Sequence, residues 1–218
     1  MFIGHFGVAL AAKRAAPQTS LGILILAAQF VDLLWPALLL LGVEHVEISP
    51  GITRTSPMNF TDYPISHSLL MGLVWALVVG GIYYAFRRYS RGAWIAGLAV
   101  LSHWVLDFLM HRPDLPLWPG NSPRVGLGLW NSWAATISLE VFFFGAGLWI
   151  YLSATQTRDA VGKYAFWALM ILLFVGWLAA TFGGPPPAGR ALAWGGLSMW
   201  LVVPWAWWAD RHRAVVAR

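Results

Sequence analysis

Charge is nearly absent from six runs of about twenty residues, and that feature denies almost the whole chain a fold in water. Leu21–Gly42, Ile65–Phe86, Ala93–His111, Ala134–Ser153, Tyr164–Phe182 and Ala191–Ala209 can each span a ~30 Å hydrocarbon layer at ~1.5 Å per helical residue. A further run, Phe2–Ala12, covers about half that distance and is expected to start near the midplane. The sequence is 59% hydrophobic and 11% charged, against about 25% charged in a soluble domain. In lipid, backbone groups must find partners inside the protein, which selects helices or closed barrels. Runs of this length select helices. The expected fold is all-α: a polytopic transmembrane helix bundle of about seven segments, the first one short, forming one domain over 1–218.

Lysine and arginine set the orientation. With Lys13 and Arg14 cytoplasmic, strict alternation also puts Arg87, Arg88, Arg91, Arg158, Lys163, Arg211, Arg213 and Arg218 inside. Arg54, Arg112, Arg124 and Arg190 fall outside. Ten against four obeys the positive-inside rule and makes the C-terminus cytoplasmic. The net charge of +5 is thereby explained by topology, and no nucleic-acid partner is expected. Trp205, Trp207 and Trp208 are expected in an inner aromatic belt; Trp118, Trp130 and Trp133 in an outer one. The first segment carries its positive charges after the apolar run, the reverse of a cleaved signal peptide, and is read as retained. There are no cysteines, so neither a disulfide framework nor a thiolate metal site is available.

Ionisable residues inside a membrane are costly and mark function by default. Here they are His5, Asp32, His67, His103, Asp107, His111 and Glu140, all in the first five segments. Residues 134–209 otherwise supply bracing helices. Helical rise places His5, Asp32, His103, Asp107 and Glu140 between the midplane and the outer half, with His67 higher. In Ser102-His103-Trp104-Val105-Leu106-Asp107, with His111 one turn on, three polar side chains share a helical face. A His and a carboxylate so spaced can ligate one metal, or the carboxylate can orient the imidazole, or the stripe can simply pack by hydrogen bonding. Asp62 or Ser66 is expected to cap the third segment near His67. Pro36, four residues after Asp32, is expected to kink the second segment and release the carbonyl of residue 32. The glycines flanking His5, Gly4 and Gly7, permit close helix approach. Glu140 is open to three readings: general base, partner of a ligand, or half of a salt bridge.

In order, Gly4-His5, Gln29-Phe30-Val31-Asp32, Ser66-His67-Ser68 and Ser102-His103 with Asp107, followed by Leu117-Trp118-Pro119, resemble the bacterial membrane-bound metal-dependent hydrolase family of inner-membrane proteins. The resemblance covers about residues 1–120. It implies His5, His67, His103 and Asp107 as ligands, with Asp32 as ligand or general base. The family commonly carries two aspartates where this chain has Gln29 and Asp32, so a second metal would need Asp62 or His111 as substitute. The donor set suits zinc, or another divalent metal. The resemblance implies a hydrolase, and a site opening towards the outer leaflet or outer aqueous face makes a lipid, lipid-linked or lipid-like small molecule the expected substrate. Two alternatives stand beside it: a proton- or metal-coupled transporter, and a non-catalytic scaffold tied by a metal. The sequence leaves the oligomeric state open.

Overall fold

The computed structural model describes residues 1–216; Arg218 of the expected basic tail lies outside them. All seven expected segments are helical, with boundaries that bear on the site. They are α1 (Ile3–Ala15), α2 (Leu21–Ala28) with α3 (Phe30–Leu40), α4 (Pro64–His67) with α5 (Leu69–Arg87), α6 (Ser90–Met110), α7 (Trp133–Ala154), α8 (Ala160–Phe182), and α9 (Gly189–Ser198) with α10 (Val202–Arg211). Among the described residues α5, α6, α7 and α8 are long and apolar enough to cross a membrane, and α2–α3 makes a fifth span if the bent pair is one crossing. α1, with 13 residues, is shorter, as expected. The last segment is interrupted by a 3₁₀ turn at Met199–Leu201. α5 turns Leu77, Ile82 and Phe86 outward, as a helix bathed in lipid does.

Between the helices lie three two-stranded ribbons that periodicity gave no reason to expect. β1 (His45–Ile48) pairs with β2 (Met58–Asp62), β3 (Leu115–Pro116) with β4 (Arg124–Val125), and β5 (Thr155–Thr157) with β6 (Arg213–Val215). The last ribbon joins the turn after α7 to the C-terminal tail. Lys13 Nζ reaches Asp210 Oδ2 at 2.7 Å, and Thr19 Oγ1 meets the Tyr83 hydroxyl at 2.8 Å. The four loops expected to be cytoplasmic therefore gather at one end of the bundle. Both other ribbons sit at the opposite end.

The second segment bends by 56° at Gln29, seven residues before the proline expected to cause it. α3 runs through Pro36, whose ring fits where Gly196 of α9 has no side chain. The carbonyl turned towards the interior is that of Ala28, rather than that of Asp32. Asp62 and Ser66 do not cap by their side chains: Glu44, fully buried, accepts the backbone N–H groups of Ile65 and Ser66 at 2.7 and 2.8 Å. Ser68 caps α5. Trp118 and Trp133 are exposed as belt residues should be, whereas Trp130 is 8% exposed and packs inside.

α1 lies backbone to backbone on α7. A Cβ at Gly147 would stand 2.0 Å from the Gly7 carbonyl oxygen, and one at Gly7 would meet the Phe143 carbonyl at 2.1 Å. Gly145, two residues away, faces open space. Gly147→Val is thus expected to cost at least about 1–3 kcal/mol and to lower the melting temperature in detergent. Gly145→Val should melt near wild type; equal losses at both positions would contradict this contact.

Candidate metal centre

Four helices, two of them beside a break in the chain, deliver the polar residues to one point. His5 arrives on the first turn of α1, held against α7 by the glycine contact. Asp32 follows the Gln29 bend, and His103 and Asp107 lie one turn apart on α6. His67 closes the one-turn helix α4, which ends at an extended Ser68 before α5 begins. That break removes His67 from the long helix on which it would sit too far towards the membrane surface.

Asp107 is the hub. Its Oδ1 lies 3.1 Å from His5 Nε2 and 2.5 Å from the Met1 amino nitrogen. Its Oδ2 lies 3.2 Å from His103 Nε2 and 3.8 Å from both His67 Nε2 and His111 Nε2. Asp32 Oδ1 stands 3.3 Å from His67 Nε2 and 3.6 Å from His103 Nε2. The rings of His5 and His103 stack at 3.6 Å. Two overlapping sets can hold a metal ion: His5, His103 and Asp107, and Asp32, His67 and His103, the ligand atoms of each lying within 4.8 Å of one another. All of these side chains are buried except that of Asp32, which is 35% exposed and faces a cavity of about 540 Å³.

Hydrogen counting shows that the set suits a cation. His103 Nδ1 lies 2.8 Å from the Ala28 carbonyl, which can only accept, so Nδ1 carries the proton. In the neutral ring the Nε2 lone pair then points at two carboxylates, and Nε2 has no hydrogen-bond partner. His67 is fixed in the same way. Ser66 Oγ gives its single proton to Glu44 Oε2 at 2.6 Å, so it accepts from His67 Nδ1, also at 2.6 Å, and Nε2 is left bare. Imidazole lone pairs converging on carboxylates in a dry interior are what a divalent ion satisfies.

The remaining candidates occupy other places. Glu140 lines the cavity, with Oε1 accepting from Phe2 N at 2.7 Å and Oε2 from Gly4 N at 2.8 Å. It anchors the amino end of α1, close to the partner role. His111 follows the end of α6; its Nδ1 is 2.9 Å from Asp114 Oδ1, and its ring packs 4.2 Å from that of Trp130. Tyr63 donates to the same Asp114 oxygen at 3.1 Å. Burial, reinforced by that carboxylate, holds the Tyr63 phenol well above its usual pKa, so it remains a donor. Asp62 does not join the cluster: on the exposed edge of β2, it faces His45 at 3.8 Å.

Sequence reasoning missed Glu44, Asp114 and Tyr63. Asp114 follows His111 by three residues, a readable spacing. Glu44 acts on a helix that starts twenty residues later, and no local pattern signals that. Outer partners of ligating histidines typically contribute 10–100-fold in metal affinity. Ser66→Ala is accordingly expected to weaken divalent-metal binding about 10–100-fold in competition with a chelating dye. His45→Ala should match wild type, and an unchanged Ser66→Ala would remove the relay from the site.

The model of the family described as YdjM inner membrane protein matches residues 1–184. No curated protein and no solved structure matches the chain.

Proposed function

The chain belongs to the YdjM inner membrane protein family, among the membrane-bound metal-dependent hydrolases, and on that premise we propose that it hydrolyses a lipid or lipid-linked substrate within the membrane. The observation that carries the proposal is the bare His103 Nε2 between the carboxylates of buried Asp107 and partly exposed Asp32, both of which line a cavity large enough for a ligand. His5, His67, His103 and Asp107 would hold the metal, with Asp32 as a further ligand or as base. Zinc suits nitrogen and carboxylate donors in a chain without thiolates. When bound, such an ion supplies Lewis acidity and brings the pKa of a coordinated water to about 7.

The protein's own groups have distinct tasks. Of the cluster members that line the cavity, Asp32 is the most exposed, so it is placed to take a proton and pass it to the leaving group. Glu140 keeps the amino end of α1, and with it His5, in position. Trp35, Phe60 and Trp130 wall the cavity and keep bulk water from the reacting centre. With the basic end cytoplasmic, the site opens towards the outer leaflet.

A carrier would need a polar path to the basic end. Along α1, α2 and α6 the layer between His5 and Lys13 consists of Ala9, Leu10, Leu24, Ile25, Ala96 and Val100, each no more than 1% exposed. That apolar plug supports the enzyme over the carrier. Reconstituted with a bacterial membrane-lipid extract, the zinc-loaded protein is expected to release a fatty acid or a water-soluble headgroup, measured by mass spectrometry. Asp32→Asn should slow release about 10²–10⁴-fold, and chelation should abolish it. Metal-replete wild type that releases no more product than Asp32→Asn would overturn the hydrolase reading.

A further inference from the structure

The cavity does not end at the metal site. From Asp32 and His67 it continues between α8 and α9, where small residues form both walls: Gly176 and Ala180 on one helix, Ala191 and Gly195 on the other. Each pair is four residues apart and shares a face. These glycines differ from those that join α1 to α7. A Cβ at Gly176 or at Gly195 would meet nothing within 4 Å, so the missing side chains leave space and serve no backbone contact. The two helices pack on different neighbours. α9 packs on α3, with Gly196 against Pro36, whereas α8 packs on α10. Ala180, Ala191 and Gly195 are exposed, so the gap opens sideways on the flank of the membrane-spanning α8.

Two buried indoles line the same cavity. Trp177 is 2% exposed and Trp35 is 7% exposed, and the Nε1 of each has no hydrogen-bond partner. We propose that the cleft between α8 and α9 is the lateral entry and seat for one acyl chain of the substrate lipid, with Gly176 and Gly195 setting the chain that fits. Apolar bulk at this depth is supplied by acyl chains, and the slot follows α9 from Ala191 to the 3₁₀ turn at Met199, roughly 12 Å. The indole N–H groups of Trp35 and Trp177 are placed to donate to the oxygens where the chain joins its headgroup. The position of the headgroup, at Asp32, rests on the metal-site reading; the seat for the chain does not.

The probe is a phosphatidylethanolamine carrying a diazirine in one acyl chain, photolysed in nanodiscs with the full-length protein. Adducts are located by peptide mass spectrometry. Lipid outside the cleft cannot reach Trp177, so an adduct on that residue reports an occupied slot. The adduct is expected in wild type and equally in Asp107→Ala, where the metal site is broken and the cleft intact. In Gly176→Leu, Gly195→Leu it should fall at least tenfold, with the metal content of that variant unchanged as evidence of folding. Adducts confined to lipid-facing helices such as α5, or a Trp177 adduct undiminished by the two leucines, would overturn the proposal. An adduct without any hydrolysis would leave the seat standing and count against catalysis; hydrolysis with no Trp177 adduct would remove the seat alone.

Discussion

Everything at the end of this bundle opposite the basic loops is arranged around Asp107, a carboxylate 2% exposed in the interior of a membrane protein. A buried charge without compensation is prohibitively costly. Here both oxygens are surrounded by nitrogen, from His5 on α1, His67 on α4 and His103 on its own helix. Each must be brought from a different part of the chain, and the irregularities of the fold are what bring them. The bend at Gln29 delivers Asp32 and frees the Ala28 carbonyl. The break at Ser68 lets His67 sit deep. The glycines of α1 and α7 draw His5 in by allowing backbone contact.

A surrounding layer fixes the rings. Ala28 and the Glu44–Ser66 pair each determine which nitrogen of a histidine is bare, and in both cases it is the one facing the carboxylates. Glu140 holds the start of α1 by two backbone N–H groups, so the short first segment owes its position to an acid on α7. Tyr63 and Asp114 do similar work for His111 beneath the β1–β2 ribbon. Pre-organisation of this kind separates a site from a chance meeting of polar side chains, because each ring would otherwise rotate to satisfy itself.

Much of this was legible in the sequence, for physical reasons that also mark where legibility ended. Long apolar runs in lipid select helices, and all seven proved helical, four or five of them long and apolar enough to span. His103 and Asp107 could be read as neighbours because helical spacing is local. His5, Asp32 and His67 were recognisable by being ionisable in lipid, although their meeting depended on breaks that periodicity does not reveal. The bend was expected at Pro36 and occurred at Gln29, where a tertiary bond to His103 competes for a carbonyl. Asp62 was offered as a substitute ligand for a second metal, yet the β2 strand turns it to the surface. Trp130 was read as a belt residue, and its place against His111 depends on a loop fold that no pattern encodes. Glu44 was invisible because its partners lie across a hairpin.

The most direct test of the central claim is X-ray absorption spectroscopy on detergent-purified protein, with metal content measured on the same sample. The account predicts about one zinc or similar divalent ion per chain, with imidazole nitrogen and carboxylate oxygen at about 2.0–2.2 Å. It also predicts loss of the ion in a folded His103→Ala, Asp107→Ala protein. A folded wild type that binds no divalent ion stoichiometrically, even after metal is supplied, would contradict it and reduce the cluster to a hydrogen-bonded clamp between helices.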